Sequence, residues 1–222
     1  MDKLKAVIIS DTHSREKKIE WFKNKENIDS VNMVIHCGDF SHGMKTLDEF
    51  VKWYGNLEIE YKILIAGNHD TEIANRGYQW FKDICDYYGI IYLQDNSVEI
   101  EGIKIHGSPW SNEYGNWSFM DNDFELDRQW QKIPDDTNIL ITHGPAFGKC
   151  DEVFQDIGQP NVGSHSLNLR INNLKDLTHH FVGHIHDSGG EINQDEKYTT
   201  YNACIMNYFF RPENKPYVFE LN

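Results

Sequence analysis

The sequence predicts an α/β domain of two packed sheets with helices on the outside. Three observations carry this. Short apolar runs of strand length alternate with helical stripes through the first half. The second half turns β-rich and shows period-two alternation. Residues of one chemical kind, Asp, Asn and His, follow strand after strand.

Leu4 to Ile9 reads as a first strand ending at Ser10-Asp11, and Met33 to Ile35 as a second ending at Gly38-Asp39. Tyr61 to Ile65 reads as a third, ending at Gly67-Asn68. Between them Leu47, Phe50, Val51 and Tyr54 fall at i, i+3, i+4 and i+7, one apolar stripe of a helix. Phe81, Ile84, Cys85 and Tyr88 repeat the pattern, and Gly89 follows as a C-terminal stop. Strand–helix–strand alternation implies a parallel sheet at the start. Val98 and Ile100, then Ile103 and Ile105, flank Glu101-Gly102, a two-residue hairpin turn in which Gly102 tolerates positive φ. Asn138 to Thr142 is a buried strand, and Leu167, Ile171 and Leu174 space like a helix face. Phe181-Val182, Tyr198 to Cys204 and Tyr217 to Leu221 finish as strands, the last alternating at Tyr217, Phe219 and Leu221. No repeat or linker interrupts the chain, so residues 1–222 are expected to form one domain. The turn-rich stretches 108–122 and 144–163 are the expected functional loops.

Composition narrows the function classes. The 222 residues carry 21 basic and 35 acidic side chains, a net charge of −14. Duplex nucleic acid and anionic membranes are bound by basic surfaces, so neither is an expected partner. No apolar run approaches the roughly 18 residues of a membrane span. The four cysteines, Cys37, Cys85, Cys150 and Cys204, lie far apart with no C-x-x-C pair. Reduced thiols and a cytoplasmic location are the expectation.

Eleven histidines are the more telling number, and their placement is not scattered. After the first strand comes Asp11-Thr12-His13, after the second Gly38-Asp39, and after the third Gly67-Asn68-His69-Asp70. Thr142-His143-Gly144-Pro145 follows a fourth strand, and Gly183-His184-Ile185-His186 a fifth. Ligands in open α/β sheets bind beyond the carboxyl ends of strands. Each motif alone reads as an ordinary turn, cap or packed histidine. Five strand ends bringing oxygen and imidazole donors to one rim read together as a metal centre.

The ordered set D-x-H, G-D, G-N-H-D, H, G-H-x-H resembles the calcineurin-like metallophosphoesterase superfamily. The runs Gly107-Ser108-Pro109-Trp110, Asp11 to Ser14, Thr142 to Pro145 and Phe181 to His186 look closest to its MPPED-type metallophosphodiesterases. The resemblance implies a four-layer α/β/β/α sandwich with two divalent ions at one sheet edge. It implies a first ion on Asp11, His13, Asp39 and His186, and a second on Asp39, Asn68, His143 and His184, with Asp39 bridging. Nitrogen and oxygen donors suit manganese first, with iron, zinc or nickel also possible. It further implies hydrolysis of small phosphodiesters or nucleotides, cyclic nucleotides among them, by a metal-bridging hydroxide. His69 would then donate a proton to the leaving oxygen. Asp70 is expected either to orient His69 or to cap the following helix. A nuclease or phosphomonoesterase using the same site, and a metal-stabilised nucleotide-binding scaffold, are the alternatives. The chain is expected to be a monomer or a homodimer.

Three further residues are substrate candidates. His42 lies just after Asp39, and His165 precedes a helix that Ser164 or His165 itself could start. Trp110 sits in a loop with Tyr114, Trp117 and Phe119, whose aromatic faces could stack on a base or pack on one another. His36, His106, His179 and His180 read as packed or hydrogen-bonded residues.

Overall fold

A computed structural model describes residues 4–154 and 160–221. The chain runs β1 (Leu4–Ile9), α1 (Lys25–Asp29), β2 (Met33–His36), α2 (Met44–Gly55), β3 (Tyr61–Leu64), α3 (Thr71–Arg76), α4 (Tyr78–Tyr87) and β4 (Ile91–Tyr92). The hairpin β5 (Asn96–Ile100) and β6 (Ile103–Ser108) follows, then β7 (Ser111–Asn112), β8 (Met120–Asp121), α5 (Asp123–Trp130) and β9 (Ile139–Thr142). The last third holds α6 (His165–Asn173), β10 (His179–Val182), β11 (Ile192–Gln194), β12 (Thr199–Asn202) and β13 (Tyr217–Leu221).

The first sheet has the order β13-β1-β2-β3-β4, parallel except for β13, which returns antiparallel to β1. The second has the order β11-β12-β10-β9-β6-β5, with a parallel centre and one antiparallel strand at each edge. The expected parallel start and antiparallel finish are both present. At the β5–β6 turn Glu101 and Gly102 both take positive φ, 49° and 80°, the backbone a tight hairpin of this hand requires.

Side-chain alternation along the strands sorts the apolar residues into three cores. Val7 and Ile9 face outward onto Leu47, Phe50 and Tyr54 of α2 and Phe81 of α4. Ala6 and Ile8 face inward and meet Ile105, Ile139, Ile141 and Phe181 of the second sheet. Leu140 faces the far side and packs with Leu126 and Trp130 of α5 and Leu167 and Ile171 of α6. Three cores between successive layers make four layers, helix, sheet, sheet, helix. Among the described residues no helix is long and apolar enough to cross a membrane. The four cysteines are free and buried.

Candidate metal centre

Parallel strands end at one edge, so β1, β2, β3, β9 and β10 deliver their following residues to a shared rim. The loops stay hydrogen-bonded past the strands: Asp11 N–H donates to Gly38 O (2.9 Å), His13 N–H to Asp39 O (3.0 Å) and Gly183 N–H to His143 O (3.0 Å). The backbone there is unusual. Asp11 (φ 52°), His13 (43°), Asp39 (59°) and His184 (69°) all lie in the left-handed region. Non-glycine residues there cost about 1–2 kcal/mol each, and such strain concentrates at functional sites.

The candidate ligands come together. His186 Nε2 is 3.2 Å from Asp11 Oδ1 and 3.2 Å from His13 Nε2. His13 Nε2 is 3.8 Å from Asp39 Oδ2. On the other side His143 Nε2 is 2.9 Å from Asn68 Oδ1 and 3.4 Å from Asp39 Oδ1. The His184 ring centroid is 5.1 Å from that of His143. His69 donates its backbone N–H to Asp39 Oδ1 (2.8 Å), while its Nε2 is 3.9 Å from Asp39 Oδ2. Donor atoms of Asp11, Asp39 and His143 all lie within 4.8 Å of one another.

The His143 Nδ1–H donates to Cys37 O at 2.9 Å, which leaves Nε2 as the free lone pair. That lone pair points at the carbonyl of Asn68 and the carboxylate of Asp39. Three electron-rich atoms so close need a cation or a proton between them, so the residues present fit a metal ion. Without an ion, the same crowding favours a proton at that position. Burial acts to lower the His143 pKa, but the Asp39 charge overrides it and raises it to about 9. Burial acts to raise Asp11 and Asp39, yet the surrounding imidazoles hold both below the ordinary carboxylate range. Burial holds His184 down to about 3, a neutral imidazole ready to ligate.

Supporting residues fix the ligand loops from beneath. Gly38 N–H donates to His36 Nδ1 (3.2 Å), so His36 Nε2–H donates to Thr12 Oγ1 (3.0 Å), tying the first two loops together. Thr142 Oγ1 donates to Gly144 O, so His180 Nε2–H donates to Thr142 (2.9 Å) beside His143. Asp11 Oδ2 accepts from Ser10 Oγ, Cys204 Sγ and the His184 N–H, which leaves Oδ1 toward the centre.

Asp70 meets neither expectation in its hydrogen bonding. It precedes α3, but its side chain makes no capping bond there. Its carboxylate accepts instead from the N–H groups of Gly67 (2.8 Å), Asp39 (2.9 Å) and Ser41 (2.9 Å) and from Ser41 Oγ (2.7 Å). It clamps two ligand loops to each other because those turns have no strand partner for their amides. Burial, then the Asp39 charge, raise it to about 7 against the pull of these donors.

A cleft of about 490 Å³ opens above the centre, lined by Asp39, His69, His184 and His186 and walled by Tyr114, Trp117, Tyr208 and Phe210. His42 reaches the candidate ligand His13, with Nε2 3.0 Å from His13 Nδ1. None of the three substrate candidates is among the residues that line the cleft. Trp110 donates its indole N–H to Asp95 (3.0 Å) and packs edge-on against Phe119, because its loop folds back over the hydrophobic cores. His165 is the first residue of α6, capped by Ser164, and stacks on Phe147 (ring centroids 3.8 Å). Tyr208 and Phe210 were missed by the sequence reading. Their signal was an aromatic run, Tyr208-Phe209-Phe210, outside any strand pattern.

Two stacked sheets whose strand ends gather nitrogen and oxygen donors under an open cleft make a candidate metal centre of the kind that suits a metal-dependent phosphoester hydrolase. A model of the calcineurin-like phosphoesterase family matches residues 4–188, and the chain belongs to that family. It is 32% identical over 238 residues to human metallophosphoesterase domain-containing protein 1, covering 97% of this chain and 70% of the relative. Among solved structures it is similar to the phosphopantetheinyl hydrolase of Mycobacterium tuberculosis, with a TM-score of 0.61 and 13% identity over 99% of this chain and 96% of that one. A Thermus thermophilus protein superposes with a TM-score of 0.66 and 9% identity, covering 99% and 100%. At those identities the structural likeness speaks for the fold alone.

Proposed function

We propose that the protein is a cytoplasmic, dinuclear metal-dependent phosphodiesterase acting on small phosphodiesters, cyclic nucleotides among them. The observation that carries this is the placement of Asp39, with Oδ1 3.4 Å from His143 Nε2 and Oδ2 3.8 Å from His13 Nε2. One carboxylate standing between two donor sets suits a bridged pair of divalent ions. Asp11, His13 and His186 would hold one ion with Asp39, and Asn68, His143 and His184 the other. The donors suit Mn²⁺, with iron, zinc or nickel as competitors. When bound, the ions supply Lewis acidity at the phosphate and an activated water.

The chain's own residues do the remainder. His69 Nε2 faces the same side of Asp39 and donates its proton to the departing oxygen. That oxygen keeps the electron pair of the P–O bond that breaks, while water oxygen makes the new one. The described lining of the cleft holds no Lys or Arg, and Glu113 and Asp187 belong to it. A singly charged diester suits such a wall better than a polyphosphate or an oligonucleotide. Tyr114 and Tyr208 offer aromatic faces to a base.

The test is a screen of chelator-stripped protein reloaded with each metal, against bis-p-nitrophenyl phosphate, p-nitrophenyl phosphate and cyclic AMP. Metal-dependent release from the diesters, exceeding that from the monoester, is expected. Asp39→Asn is expected to lower the rate by on the order of 10²-fold or more and to reduce bound metal. Predominant monoester cleavage would favour a phosphomonoesterase. A metal-loaded protein inert on every ester would favour a binding scaffold.

A further inference from the structure

We infer that Trp117 is a positioning residue for His69, holding the imidazole in line with the departing oxygen. The inference rests on the reading of His69 as the proton donor. The two ring centroids are 4.2 Å apart with planes inclined by 40°. Trp117 lies on the turn between β7 and β8, is 46% exposed and lines the cleft. Its turn is fastened to the His69 loop, because Ser118 N–H donates to Asn68 O at 3.3 Å. A large aromatic side chain left so exposed contributes little to a core, so its place over His69 asks for another account.

The need for such a support is visible on His69 itself. Functional imidazoles are commonly oriented by a carboxylate or carbonyl at the second ring nitrogen. His69 Nδ1 is buried and has no hydrogen-bond partner in the described structure. Asp70, the nearest carboxylate in sequence, spends both oxygens on the Gly67, Asp39 and Ser41 donors. Rotation about the imidazole χ2 is broad when nothing restrains it. The restraint is therefore packing: Trp117 across one face, with His13 (5.0 Å, 85°) and His42 (5.1 Å, 79°) meeting the ring edge to face. His13 belongs to the metal centre, and Trp117 is held to the His69 loop through Ser118.

Leaving-group chemistry separates this role from the alternatives. A p-nitrophenolate departs readily without a proton, whereas the more basic phenolate needs one. Steady-state kinetics on bis-p-nitrophenyl phosphate and diphenyl phosphate would be compared for wild type, His69→Ala, Trp117→Ala and Trp117→Phe, with bound metal measured in each. His69→Ala is expected to lose on the order of 10²-fold in kcat on diphenyl phosphate and only a few-fold on the nitrophenyl ester. Trp117→Ala should reproduce that asymmetry at about tenfold, with metal content and KM little changed. Trp117→Phe, which keeps a ring over His69, should stay within about twofold of wild type. A rise in KM with no leaving-group asymmetry would make Trp117 a substrate-stacking residue and overturn the inference. Equal losses on both esters would overturn it as well. If His69→Ala itself showed no asymmetry, the proton-donor reading would fail first and take this one with it.

Discussion

Asp70 shows what one carboxylate can do for a metal centre without reaching it. Its two oxygens satisfy three backbone N–H groups and a hydroxyl from two loops that carry Asp39 and Asn68. Truncation strands those donors in a buried place, at about 1–3 kcal/mol for each group left unpaired. Asp70→Ala is therefore expected to lose on the order of 3 kcal/mol or more in urea denaturation and to bind metal weakly. Asp70→Asn keeps acceptor capacity and should lose less. Equal stability of Asp70→Ala and wild type would show that the clamp is idle. At this scale the candidate donor set was readable, because Asp, Asn and His after successive strands have few other joint explanations. The clamp was not, since a carboxylate that accepts from distant backbone looks in sequence like any helix cap. Nor were the left-handed conformations of Asp11, His13, Asp39 and His184, which follow from how the loops cross rather than from residue type.

At the level of elements, the rim depends on strand ends coming closer than side chains normally allow. A Cβ built on Gly183 would overlap Ser10 Oγ and Asp11 Oδ2, and one on Gly67 would overlap Asp39 Oδ1. In both places the obstructed atom belongs to a candidate ligand or its immediate support. Gly183→Ala is expected to fold and to lose metal affinity by tenfold or more, roughly the effect of disturbing a ligand's support. Isothermal titration of the stripped protein reads this directly, and an unchanged dissociation constant would mean the loop yields freely. Strands β1, β2, β3, β9 and β13, of four to six residues, were legible because buried strands are continuous or alternating apolar runs. The two-residue strands β4, β7 and β8 were not, being too short to show a period. Helix α5 shows no apolar stripe in the sequence because it buries only Leu126 and Trp130, one i, i+4 pair.

For the whole molecule, several histidines are enclosed in neutral form away from the rim or beneath it. Burial lowers His36 and His180 to about 3 and His106 to about 4. A histidine whose folded pKa lies below its unfolded value near 6.5 stabilises the fold above that value, and the contribution is lost as pH falls toward the folded pKa. His106 is the simplest to isolate: its Nδ1 bonds to Ser97 Oγ (2.9 Å), and its buried Nε2 has no acceptor waiting for a second proton. Between pH 7 and pH 5 wild type should lose about 2 kcal/mol through this residue, and His106→Gln should lose correspondingly less. Parallel pH profiles of the two in urea titrations would sink that account. Two packed sheets with outer helices were legible in the element alternation, and the four-layer order came from the family resemblance, whereas the part of the cleft wall made by Tyr208 and Phe210 was hidden, since only the fold brings them opposite Tyr114 and Trp117. Asp11, Asp39 and Asn68 follow strands of the first sheet, and His143, His184 and His186 follow strands of the second. Ions gripped by both groups would sit like rivets through a seam. Parting the sheets and releasing the ions would then be a single motion, and the lifetime of a bound ion would be a clock for how often the sandwich breathes.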